Sequence, residues 1–129
     1  MLKKYQQTLA SSISFQGIGL HSGLKTKIKI KPGIEDQGIV FKRTDLKKNN
    51  LVVANYQNVS SARLCTTLKN KYGVKVSTVE HLLAALYICE IDNAEIEVNA
   101  EEIPIMDGSA LDFIRELENV KKAKFKQEF

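Results

Sequence analysis

From Leu24 to Lys31 the chain reads LKTKIKIK, with Leu24, Thr26, Ile28 and Ile30 on one face and Lys25, Lys27, Lys29 and Lys31 on the other. Such strict alternation marks a strand with one wet face. Pro32-Gly33 ends it, and GIVFKR, Gly38 to Arg43, reads as the next strand. The mixed stretch 44–63 has one short apolar patch, Leu51 to Ala54, and predicts no regular element. Two short strands follow, in LCTTLKN at 64–70 and GVKV at 73–76, joined by a turn at Asn70 to Gly73. NAEIEV at 93–98 alternates again, turning Ala94, Ile96 and Val98 inward and Glu95 and Glu97 outward.

Two segments carry the helical period. Val79, Leu82, Leu83 and Leu86 form one stripe, and Ala84 and Ala85 raise helix propensity between them. In SALDFIRELENV, Ser109 to Val120, the apolar face is Leu111, Ile114 and Leu117 with Phe113, and Ser109 after the Asp107-Gly108 turn is the expected N-cap. Strands, a helix, a strand and a helix in this order predict an α+β domain. The expected form is a two-layer sandwich, with a mixed or antiparallel sheet and two helices on one face. After Val120 the tail KKAKFKQEF turns basic and loses the pattern.

Composition narrows the function. A chain of 129 residues, 43% apolar and 26% charged, fits one soluble domain with an ordinary core. The net charge of +4 comes mainly from dispersed lysines, with arginine only at Arg43, Arg63 and Arg115. A nucleic-acid partner is not expected, because that footprint would cluster arginines with aromatics. The lysine row of residues 25–31 fits a solvated face that deters edge pairing; an RNA-contacting module using that row is the rival reading. Cys65 and Cys89 form no CxxC pair and suit a reducing compartment. No apolar run reaches the length of a signal-peptide core or the about 18 residues of a membrane span, so a cytoplasmic, soluble protein is expected.

Two stretches carry candidate chemistry. GIGLHSG, Gly17 to Gly23, has the glycine density of a phosphate loop but not its G-x-G-x-x-G spacing, and a strand follows it where a helix would be needed. It reads as a tight turn with His21 at its tip. Ser77-Thr78-Val79-Glu80 matches a capping box, in which Ser77 caps the helix and Glu80 reaches back to the cap's own N–H. The competing reading makes His81 a metal ligand and Glu80 a base acting on water, at a helix N-terminus that favours negative charge. A catalytic zinc takes three protein ligands, however, and the only other histidine is His21.

GIGLHSG, FKRTDL, LCTTL, VSTVEHLLAAL and IDNAEIEVNAEEIPIMDGSA, in that order, resemble the first domain of the UDP-3-O-acyl-N-acetylglucosamine deacetylase family, zinc enzymes of lipid A synthesis in Gram-negative bacteria. STVEHL followed by EIPIMDGSA is the specific part. The resemblance implies two domains of α/β sandwich fold, similar to ribosomal protein S5 domain 2, with the active site between them. Residues 1–120 would be the first domain, and 121–129 a connector or the start of a missing second domain. His81 then corresponds to the zinc ligand of the first domain and Glu80 to the general base. Leu64 and Cys65 correspond to residues lining the cleft, and His21 to a loop histidine on the substrate side. The other two zinc ligands, a His and an Asp four residues apart, and the histidine that protonates the leaving amine have no counterpart here. The chain alone is therefore expected to be inactive, and a folded remnant in which Ser77 and Glu80 only cap a helix is a further alternative.

Overall fold

The computed structural model describes residues 5–61, 65–105 and 110–128. Its main sheet has five strands, built around β9 (Ala94–Val98). On one side β9 pairs antiparallel with β3 (Lys25–Pro32), which pairs antiparallel with β2 (Ile13–Ile18). On the other it pairs parallel with β4 (Ile39–Arg43), which pairs antiparallel with β5 (Leu51–Val53). The sheet is mixed, as expected.

Register puts Ile28 opposite Val98, Ile30 opposite Ile96 and Phe41 opposite Ile96, so one face of three strands is continuous hydrocarbon. Both helices cover that face. α1 (Glu80–Ile88) buries Leu82, Ala85 and Leu86, and α2 (Leu111–Glu118) buries Phe113 and Leu117, all in one cluster with Ile28, Ile30, Phe41, Ile96 and Val98. Phe113 meets Phe15 of β2 edge to face, with ring centroids 5.0 Å apart. The expected α+β architecture therefore holds, with two differences in the helices. Leu111, placed on the apolar face by its spacing, is 45% exposed, and Leu83 is only half-buried while Ala85 takes its place in the core. α1 is apolar nearly all round, so spacing alone does not select its buried side. Ser109, the expected N-cap of α2, lies outside the described residues.

The opposite sheet face carries the lysine row, but not as isolated cations. Lys29 and Lys31 stand opposite Glu97 and Glu95, and the Lys31 ammonium lies 3.5 Å from Glu95 and 3.7 Å from Glu97. Cross-strand pairing of opposite charge offsets part of the field that a nucleic-acid surface would need.

A second, three-stranded sheet comprises β6 (Val59–Ser61), β7 (Thr67–Lys69) and β8 (Lys75–Ser77). The turn between β7 and β8 closes through the Gly73 N–H donating to the Asn70 carbonyl at 3.1 Å. β5, a 3-10 turn at Tyr56–Asn58 and β6 all fall in the stretch where no element is predicted. Three-residue strands are too short to show a period. The basic tail forms β10 (Lys122–Glu128), paired antiparallel with β1 (Tyr5–Leu9). No helix among the described residues is long and apolar enough to cross a membrane.

Ile96 is fully buried on the central strand between Ile30 and Phe41. Ile96→Ala is expected to lower stability by about 2–5 kcal/mol, seen as a lower urea midpoint with unchanged slope. A loss below about 0.5 kcal/mol, the size of a surface substitution, would contradict this central placement.

Candidate active site

The turn from β8 into α1 differs from the local pattern. Ser77 is not the N-cap: the cap position is Val79, with no side-chain hydrogen bond, and the helix starts at Glu80. Ser77 is unavailable because it is strand. Its N–H donates to the Glu101 carbonyl at 2.7 Å, and its own carbonyl accepts the Ile103 N–H at 3.0 Å. The chain escapes this ladder through Thr78 at φ 62°, a left-handed conformation costing a β-branched residue on the order of 1–3 kcal/mol.

Thr66 clasps this turn through its backbone. Its carbonyl accepts the N–H groups of Thr78 at 2.9 Å and Val79 at 3.3 Å, while its N–H donates to Glu80 Oε2 at 2.9 Å. Of the donors at the helix start, the N–H of the cap residue Val79 is thus taken by a neighbouring segment. The Glu80 carboxylate is fixed on the Thr66 N–H, not folded back on Ser77.

The glycine-rich turn does hold an anion, and the anion is the protein's own. Glu102 is 5% exposed, and its carboxylate accepts the His21 N–H at 3.0 Å, the Ser22 N–H at 3.0 Å and the Thr78 hydroxyl at 3.0 Å. A Cβ on Gly19 would run into Glu102 Oε1 and Ser22 Oγ, and Gly23 turns at φ 68°. One glycine gives close approach and the other a left-handed turn. Burial alone would raise the Glu102 pKa, but the hydrogen bonds from Ser22, His21 and Thr78 outweigh it and hold the carboxyl below its ordinary value.

These segments enclose a cleft of about 490 Å³, lined by His21, Ser22, Ser61, Cys65, Ser77, Glu101 and Glu102. His21 is exposed at the rim and Cys65 half-buried, with its Sγ 3.8 Å from Thr67 Oγ1. Glu80 and His81, both half-buried, lie at the adjoining helix start and do not line the cleft. Leu64 lies outside the described residues.

The profile of the UDP-3-O-acyl N-acetylglycosamine deacetylase family matches residues 6–128. The chain belongs to this deacetylase family. The Geotalea uraniireducens protein named UDP-3-O-acyl-N-acetylglucosamine deacetylase is 47% identical over 115 residues, covering 89% of this chain and 37% of that protein. A relative of the same name from Syntrophus aciditrophicus is 47% identical over 90% of this chain and 36% of its own length, and one from Haemophilus influenzae is 50% identical over 84% and 36%. The chain thus spans little more than a third of the relatives it matches.

Against the zinc that the deacetylase family resemblance implies, the donors present fall short. Among the described residues no group of three His, Cys, Asp or Glu side chains gathers where a metal would sit. His81 offers one imidazole, which does not complete a catalytic zinc site. Sequence reasoning missed Glu102 and Thr66. Glu102 had a signal: an acidic residue leading the apolar run Ile103-Pro104-Ile105, in a chain whose glycine loop had N–H donors and no phosphate to bind. Thr66 had none, since it acts through its backbone.

Because the folded pKa of Glu102 lies below the ordinary 4.5, the stability it lends is complete above pH 4.5 and is lost as pH falls through the folded value. Thermal unfolding followed from pH 7 downward should show a steeper acid decline in the native chain than in Glu102→Gln. Parallel declines would refute the clamp.

Proposed function

We propose that this chain is the first domain of a zinc-dependent UDP-3-O-acyl-N-acetylglucosamine deacetylase, residues 121–129 leading toward a second domain that completes the site. The observation that carries this reading is Glu80 held through Oε2 by the Thr66 N–H, next to His81 and beside a cleft containing Cys65 and His21. Hydrolysis of an acetamide needs a base to take a proton from water as its oxygen bonds to the carbonyl carbon, and an acid to protonate the departing nitrogen when the C–N bond breaks. Glu80 is the base. The acid comes from outside the described residues, and acetate and a free amine are the products.

Zinc, once held, would polarise the carbonyl and make water a stronger acid. His81 is one donor and two more are needed. The cleft takes the substrate with His21 and Cys65 on its wall, and Leu64, outside the described residues, is proposed as a substrate contact by its match to the family alone. Tyr87 and Ile88 on α1, 85% and 59% exposed, give the further domain an apolar surface to dock against. Lipid A synthesis in the cytoplasm of a Gram-negative bacterium is the setting this reading implies.

The test is a chimera in which this chain replaces the matching segment of the Geotalea relative, assayed for acetate release from UDP-3-O-acyl-N-acetylglucosamine. Glu80→Gln should lower kcat by about 10²–10⁴ with little change in melting temperature. The 129-residue chain with zinc alone should show negligible turnover. Full activity in Glu80→Gln would end the assignment of the base. Turnover by the isolated chain would end the claim that a second domain is required.

A further inference from the structure

Glu102 has no part in the chemistry proposed above, yet its side chain is the point where three separate segments meet. The backbone around it is pinned first: Ser77 bonds to Glu101 and Ile103 on either side, and the Ile105 N–H donates to the Ile18 carbonyl at 2.8 Å. From that fixed base the carboxylate reaches the His21–Ser22 amides in the turn after β2 and the Thr78 hydroxyl just past β8. Thr78 precedes the Glu80-His81 pair by two residues and holds a conformation it would leave if released.

We infer that Glu102 is a positioning residue: it locks the His21 loop to the Thr78 turn and so sets where His21 on the cleft and Glu80 and His81 at the adjoining helix start stand relative to one another. The inference rests on the proposed roles of Glu80 and His81 for its functional consequence and on hydrogen-bond geometry alone for its mechanism. Releasing the carboxylate frees the two loop amides on one side. On the other, among the described residues, it leaves Thr78 with its N–H to the Thr66 carbonyl as its remaining hydrogen bond. A carboxylate accepting from charged-state-favouring amides is a strong tie, and neither a shorter nor an apolar side chain replaces it.

The experiment compares the native chain with Glu102→Ala, Glu102→Gln and Gly19→Ala by backbone amide exchange and by the resonances of the His81 ring and the Thr66 N–H. In Glu102→Ala, exchange at His21 and Ser22 should accelerate about tenfold or more, and the Thr66 and His81 signals should move. Amides of the central sheet, such as Ile30 and Ile96, should keep their protection. Glu102→Gln, which retains length and one acceptor oxygen, should fall between. Gly19→Ala keeps the charge and displaces the carboxylate by contact, so it should reproduce the local changes even if Glu102→Ala does not fold.

In the chimera, Glu102→Ala or Gly19→Ala should lower kcat about 10–100-fold with KM changed far less, as for misplaced catalytic groups. Unmoved Thr66 and His81 signals in the folded variants, with only a uniform loss of stability, would reduce Glu102 to a structural residue and overturn the inference. Retained kcat in Gly19→Ala with displaced signals would overturn its functional half. If Glu80→Gln keeps activity while the local changes occur as stated, the proposed function fails and the positioning stands.

Discussion

The five-stranded sheet takes its order from β9, among the described residues the one strand paired over its full length on both edges, antiparallel to β3 and parallel to β4. Ala94, Ile96 and Val98 are fully buried on it, so the helices must cover that face and the charged residues must take the other. The same constraint decides where the chain goes next. On leaving β9 it crosses to the end of β8 and then to β2, through the bonds of Glu101 and Ile103 to Ser77 and of Ile105 to Ile18. The candidate site lies along that crossing, where the five-stranded and three-stranded sheets are stitched together.

Elements whose signal is local were legible in the sequence. β3 and β9 alternate strictly because one of their faces is wet, and a single register satisfies both the hydrocarbon and the Lys–Glu pairing. α2, amphipathic, was read with one misplaced residue, Leu111. What escaped was set from a distance. β5 and β6 are three-residue strands that exist because a neighbour pairs with them, and β10 exists because β1, more than a hundred positions earlier, supplies its partner. Polar closure at the other end of the sheet is equally remote: the Thr8 hydroxyl donates to the Asn93 carbonyl at 2.6 Å and accepts the Gly33 N–H at 2.8 Å. None of these contacts leaves a period in its own segment.

The site divides in the same way. Glu80 and His81 are proposed from residue type and from the family resemblance, which is dense around them. The GIGLHSG turn lacks the spacing of a nucleotide loop. Its amides nonetheless bind a carboxylate, and that carboxylate lies about eighty positions away in the chain, beyond what any short motif can state. The capping box failed for a related reason. S-x-x-E specifies a helix start only when its first residue is free to leave the preceding strand, and here Ser77 is held in a ladder on both sides.

That failure explains the strain at Thr78. If Ser77 stayed in the ladder and the chain entered α1 by ordinary cap geometry, the helix would start later or the strand would end sooner. Either change would move Glu80 away from the Thr66 N–H. A single left-handed residue between them reverses direction at once, so strand and helix both run to their full length and Glu80 begins the helix with its carboxylate on the Thr66 N–H. The conformational cost at Thr78 is offset by three bonds: its N–H and that of Val79 to Thr66, and its hydroxyl to Glu102. The strained residue and its two clasps form one unit, and the geometry of the Glu80-His81 pair depends on all three being present together.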